Sequence, residues 1–127
     1  MRWICLLLTP LIVGCASHHH LRTADGTYEI SWQTNDDAPL AVNTYCDLLI
    51  HIDPPTSDGN PVDFRFDATM PAHRHGMNVM VHSIELEPGV WKVEDVLLHM
   101  PGEWALDFDI TDSQGVLHRG RQMIDLK

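Results

Sequence analysis

The stretch Met70-Pro71-Ala72-His73-Arg74-His75-Gly76-Met77-Asn78-Val79-Met80-Val81-His82 holds three of the chain's six methionines and three of its nine histidines. Imidazole nitrogen serves Cu(II) and thioether sulfur serves Cu(I), so a loop gathering both is a candidate metal site, with copper as the expected ion. His73 and His75 stand two apart, and in an extended segment their rings project to one side, where two nitrogens at about 2.0 Å can share a metal. Met77 follows a glycine, whose backbone freedom lets the thioether turn inward; a core methionine opening the next strand is the competing reading. Met80 and His82 are secondary candidates: with Val79 and Val81 facing the core, both are exposed, and in the opposite register His82 is a satisfied buried histidine. Met70 continues an apolar strand face and reads as packing.

A second soft-donor pair, His99-Met100, precedes Pro101-Gly102. It is either a further part of the site or a turn that needs capping. His18, His19 and His20 form either a weak metal-capture run or, more simply, a polar linker. His51 and His118 read as ordinary surface histidines. For catalysis the sequence is poor, and no enzyme is expected. Cys46 sits on the apolar face of a strand as a small hydrophobe, and no serine has a nucleophile-elbow context. Nothing resembles a phosphate loop or a Cys-x-x-Cys site.

Short β-rich runs divided by Gly, Pro, Asn and Asp must position these donors, which is the pattern of an all-β antiparallel sandwich of about seven strands. The runs fall at 27–33, 41–52, 62–69, 78–85, 90–98, 104–111 and 116–126. Alternation slips at Glu94-Asp95, where a bulge is expected. The clearest period of two puts Trp104, Leu106, Phe108 and Ile110 inward. Trp32, Trp91 and Trp104 read as packing between the sheets. If seven strands alternate in direction, the 70–77 and 99–103 connections arrive at one end of the sandwich. His73, His75 and Met77 then meet His99 and Met100, and the chain leading into the first strand leaves from the opposite end.

The N-terminus reads as an export signal: one basic residue, then an apolar run shorter than the roughly 20 residues of a membrane span. Ile12-Val13-Gly14-Cys15 resembles the bacterial lipobox, in which the cysteine is diacylated. A secretory peptide cut near Ala16-Ser17 is the alternative. The expected organisation is a lipoprotein signal at 1–14, a lipidated Cys15 with a tether over 15–26, and one domain over 27–127. Eight Lys and Arg against eighteen Asp and Glu give a net charge of −10. That balance argues against nucleic acid, which needs a basic face, and against electrostatic attraction to anionic lipid. With Cys5 in the leader and Cys15 acylated, Cys46 has no partner for an internal disulfide. Ala16 in place of an aspartate after the lipidated residue favours the outer over the inner membrane.

Asp58-Gly59-Asn60-Pro61-Val62 ahead of a strand, then Met70-Pro71-Ala72-His73-Arg74-His75-Gly76-Met77, Gly89-Val90-Trp91 and Met100-Pro101-Gly102-Glu103-Trp104 resemble the YtkA-like family of small exported proteins. More loosely, they resemble the FixH-type accessory domains of oxidase assembly. The resemblance covers about Pro39 to Lys127. It implies an immunoglobulin-like sandwich, association with copper handling or the assembly of respiratory metal centres, and no enzymatic activity. Family members often carry more methionine in the loop; histidine at 73 and 75 broadens the expectation from Cu(I) to Cu(II) and Zn(II). The combined expectation is a periplasm-facing envelope lipoprotein that binds copper for buffering or for delivery to a metalloprotein recipient. The alternative is a metal-free module that docks a partner in an envelope complex.

Overall fold

A computed structural model describes residues 18–54, 59 and 61–127; the leader and Cys15 lie outside the described residues. Among the described residues nine strands follow in order: β1 His19–Arg22, β2 Glu29–Thr34, β3 Cys46–Asp53, β4 Asp63–Met70, β5 His75–Gly76, β6 His82–Glu87, β7 Val90–Val96, β8 Gly102–Thr111 and β9 Leu117–Leu126. They form two antiparallel sheets, ordered β1-β2-β3-β7-β6 and β5-β4-β8-β9. With β1 and β5 set aside and the other seven strands lettered A to G in chain order, β2-β3-β7-β6 and β4-β8-β9 become A-B-E-D and C-F-G, the strand arrangement of an immunoglobulin constant-type sandwich.

The core follows from alternation. β4 buries Phe64, Phe66, Ala68 and Met70 while Asp63, Arg65 and Asp67 face water, and β8 buries Trp104, Leu106, Phe108 and Ile110 as expected. Across the gap β2 offers Ile30 and Trp32, and β3 offers Leu48, Ile50 and Ile52. Aromatic rings knit the layers: Phe108 lies 5.4 Å from Phe66, 6.3 Å from Trp32 and 6.4 Å from Phe64 between centroids. Each such side chain contributes roughly 1.5–3 kcal/mol by leaving water. Cys46 is a half-buried free thiol, and burial first, then Asp36 and Asp47, push its pKa up to about 11. The expected bulge is present: β7 spends Glu94 and Asp95 opposite the single Asp47 of β3, and Asp95 takes φ 64° with its amide on the Asp47 carboxylate.

The strands differ from expectation at four places, the first being β5, which forms inside the connection expected over 70–77. Residues 41–45 form a turn, not the start of β3, because Asn43 adopts φ 54° and its amide bonds the carbonyl of Leu98. Residues 77–81 are a loop, so β6 begins only at His82. Most consequentially, the expected tether is part of the sheet. β1 pairs with β2 in the register His19↔Trp32 to Arg22↔Glu29, and Leu21 packs against the core. Its alternation is too short to stand out in the sequence; the contact with β9 through Gly120, which presents no Cβ to Ile30 or Leu21, makes room for it.

His118 is not a surface histidine. It is 7% exposed, with Nδ1 2.6 Å from Asp25 and Nε2 3.0 Å from Asp112, and its ring meets the edge of Tyr28. This clamp ties the β1–β2 turn to the β8–β9 turn. His51 is exposed, as expected.

Candidate metal centre

The 71–74 turn is closed by the Met70 carbonyl, which accepts from the amides of His73 (3.1 Å) and Arg74 (2.9 Å). Arg74 takes the left-handed φ of 56°, a conformation costing a side-chain-bearing residue roughly 1–2 kcal/mol. That reversal lets β5 pair back on β4, Met70 opposite His75 and Thr69 opposite Gly76. His75 is thereby fixed on a sheet edge, while His73 rides the exposed turn.

The second turn arrives beside the first. Leu98 is buried and His99 follows it; the carbonyl of Met100 accepts the indole N–H of Trp104 at 2.9 Å. Gly102, at φ 121°, comes within 3.0 Å (from the position a Cβ would take) of the Met70 methyl group. Met70 is buried, so the side chain read as packing is also the contact that seats one turn on the other.

Three imidazoles result. His73 and His75 have ring centroids 5.7 Å apart, and His75 and His99 5.3 Å apart. Two imidazoles binding one metal through nitrogens at 2.0–2.1 Å have centroids separated by roughly 5–6 Å, so both spacings suit a shared ion. Trp104, fully buried, stands edge-on beneath His75 (6.2 Å, 73°) and His99 (5.6 Å, 76°) and makes the floor. Read from sequence as inter-sheet packing, Trp104 also belongs to the site; its place two residues past Gly102, at the start of β8, was the available signal.

The nitrogens carry different partners. His75 Nδ1 donates to the carbonyl of Gly76 at 3.1 Å, which leaves Nε2 with its lone pair free, the tautomer a backbone carbonyl imposes on metal-binding histidines. His99 Nε2 lies 3.5 Å from the Asn78 amide nitrogen, and its Nδ1 is buried with no hydrogen-bond partner among the described residues. An orphaned buried nitrogen costs about 1–3 kcal/mol, which an ion or a proton acceptor would recover. As the side chains lie, no three His, Cys, Asp or Glu among the described residues converge at ligating distance. Closing round an ion requires rotation of a ring, and His73, exposed on its turn, has the freedom to do so.

The thioethers divide. Met77 and Met100 are half-buried against the core, and Met77 lines the same groove as Met80. Met80 is 83% exposed and borders a groove with Phe64, Phe66, Met77 and Val81. His82 lies exposed on β6 opposite Glu94. The structure therefore assembles His73, His75 and His99 from two separated turns, and gives Met80 and His82 no place among those rings. His19, of the N-terminal run, stacks on Trp32 at 4.0 Å, a structural role.

Among the described residues, no helix is long and apolar enough to cross a membrane. Compared with protein-family models, with curated proteins and with solved structures, the chain gives no match.

Proposed function

We propose that the chain is a YtkA-like envelope lipoprotein, anchored through Cys15, whose pole of His73, His75 and His99 binds copper for buffering or for delivery to a respiratory metal centre. Met77 and Met100 stand by as soft donors. The observation that carries the reading is the approach of His75 and His99, from separate turns, to 5.3 Å over a tryptophan floor, with Nε2 of one and Nδ1 of the other lacking a strong partner. Imidazole supports Cu(II), the flanking thioethers suit Cu(I), and three nitrogens also suit Zn(II). Ala16 after the cysteine favours periplasm-facing attachment to the outer membrane, which suits buffering; delivery to a respiratory centre requires anchorage in the inner membrane, where that centre lies.

The test is titration of untagged protein with Cu(I), Cu(II) and Zn(II), beside the double variant His73→Ala plus His75→Ala. A loss of affinity on the double change is expected; unchanged affinity removes the claim. One observation favours a second reading, a metal-free docking module: the three rings do not converge at ligating distance as they lie. Protein purified without a tag that is free of bound metal and shows no saturable uptake, together with an envelope partner captured in a pull-down, would establish that reading instead.

A further inference from the structure

We propose that the His/Met pole faces the membrane holding the lipid anchor, and that its partner is an integral membrane protein whose metal centre opens at that surface. This rests on Cys15 as the acylated residue and on the pole as a metal site.

β1 decides the direction. Had β2 been the first strand, the anchor would leave from the end of the sandwich remote from the rings. Instead β1 runs the other way, and its first residue, His19, pairs with Trp32, two positions before the end of β2. The His19 ring borders the loop of Asp37, Ala38, Pro39 and Leu40 that follows β2. A few residues on, Asn43 donates its amide to the carbonyl of Leu98 at 2.8 Å, and Leu98 precedes His99. The start of β1 and the three rings therefore share one end of the domain. From Cys15 to His19 is four residue steps (15 to 19), spanning at most roughly 14 Å when fully extended. An anchor on so short a lead holds this end, and not the far one, to the bilayer.

Charge selects a protein over the lipid as occupant. Asp36, Asp37, Asp95 and Glu103 lie at this end, and Asp47 and Asp125 there are paired with Lys92 (3.2 Å) and Lys127 (2.7 Å). Arg74 is the basic residue exposed on the ring-bearing turn, so the end keeps an acidic excess. Anionic headgroups repel such a rim, so it does not bed into the bilayer; a partner with basic residues around its own opening complements it. Tyr45 and Met80, 62% and 83% exposed, supply apolar contact at the same end.

The experiment uses the full lipidated chain in phosphatidylcholine vesicles containing a headgroup spin label, with a fluorophore at Ala72→Cys or at Gln114→Cys in a Cys46→Ser background. Several-fold stronger quenching at position 72 than at 114 is expected. Equal or reversed quenching, or no vesicle association, overturns the proposal. A flexible insert of about 20 residues after Ser17, spanning roughly 25 Å, should equalise the two positions. Copper titration of the same samples separates the two ideas: lost binding with preserved asymmetry defeats the metal reading alone, and preserved binding without asymmetry defeats the orientation alone. A photo-crosslinker at position 72 in envelope membranes should capture proteins with membrane-spanning segments, and lose them with the long insert. Adducts confined to proteins without such segments, or none, overturn the partner assignment.

Discussion

His75 and His99 lie with ring centroids 5.3 Å apart although one sits on the edge strand β5 and the other in the turn ahead of β8. Their meeting depends on antiparallel strands of matched length, so the site is a property of the whole sandwich. Replacing either with alanine should weaken Cu(II) binding by roughly tenfold or more, on the order of 1.4 kcal/mol, while the far-UV spectrum stays that of the parent. His82→Ala, outside the rings, should leave affinity unchanged; equal losses for all three would contradict this arrangement.

Trp104 should report on the ion. With both rings edge-on to its indole, Cu(II) binding should quench the intrinsic emission, and Trp104→Phe should abolish most of that change, leaving Trp32 and Trp91 as the remaining emitters of the folded domain. The same variant strands the Met100 carbonyl that now accepts the indole N–H. A buried acceptor left unpaired costs about 1–3 kcal/mol, visible as a lower denaturant midpoint.

Gly102→Ala tests how the turns are seated. At φ 121° an added Cβ is strained, and it would stand 3.0 Å from the Met70 methyl. A loss of about 1–3 kcal/mol is expected, together with weaker metal binding because His99 shifts against His75. Stability lost without any change in affinity would show that the two turns are positioned independently.

The His118 clamp predicts a pH dependence. Asp112 first, then Asp25, hold the imidazole's pKa above its ordinary value although burial opposes this. That contribution is full below the unfolded histidine value of about 6.5 and drains away as pH rises through the raised one. The carboxylates move the other way: Asp112 is held low first by His118, and Asp25 first by the Thr23 hydroxyl, then by the Thr27 amide and His118. Their contribution is full above about 4 and is lost as acid protonates them. The clamp is thus strongest between roughly pH 4 and 6.5. The difference in melting temperature between the parent and His118→Gln, expected at roughly 4–8 °C in that window, should shrink above it; a difference flat across pH would refute an ionised clamp.

Gly120→Ala probes β1. A Cβ there would meet Ile30 Cδ1 at 2.9 Å and Leu21 Cδ1 at 3.2 Å. Overpacking of this kind costs about 1–3 kcal/mol, and amide exchange at Leu21 and Arg22 should accelerate more than in β8.

Where the apolar period was long, the sequence was legible. Phe64 to Met70 and Trp104 to Ile110 declare their inward faces, and the parity of chain reversals was enough to bring His75 and His99 to one end. Asp95 was readable as a bulge because alternation breaks there. What could not be read depends on partners far along the chain. His19–Arg22 becomes a strand only because Gly120 leaves it a bed on β9. His118 is buried because Asp25 and Asp112, from two other turns, neutralise it. Neither relation has a local signature. The missed strand also reversed the expected orientation, since one added strand moves the start of the domain to its opposite end.

The last strand has a practical corollary. Leu126 pairs with Gly102, so the chain leaves β9 beside the rings. An oligohistidine handle fused after Lys127 would place competing imidazoles within reach of His99 and confound any measurement of stoichiometry. The exposed Ser113-Gln114-Gly115 bend, at the other extremity of the molecule, is the better place to graft a purification epitope or a surface linkage.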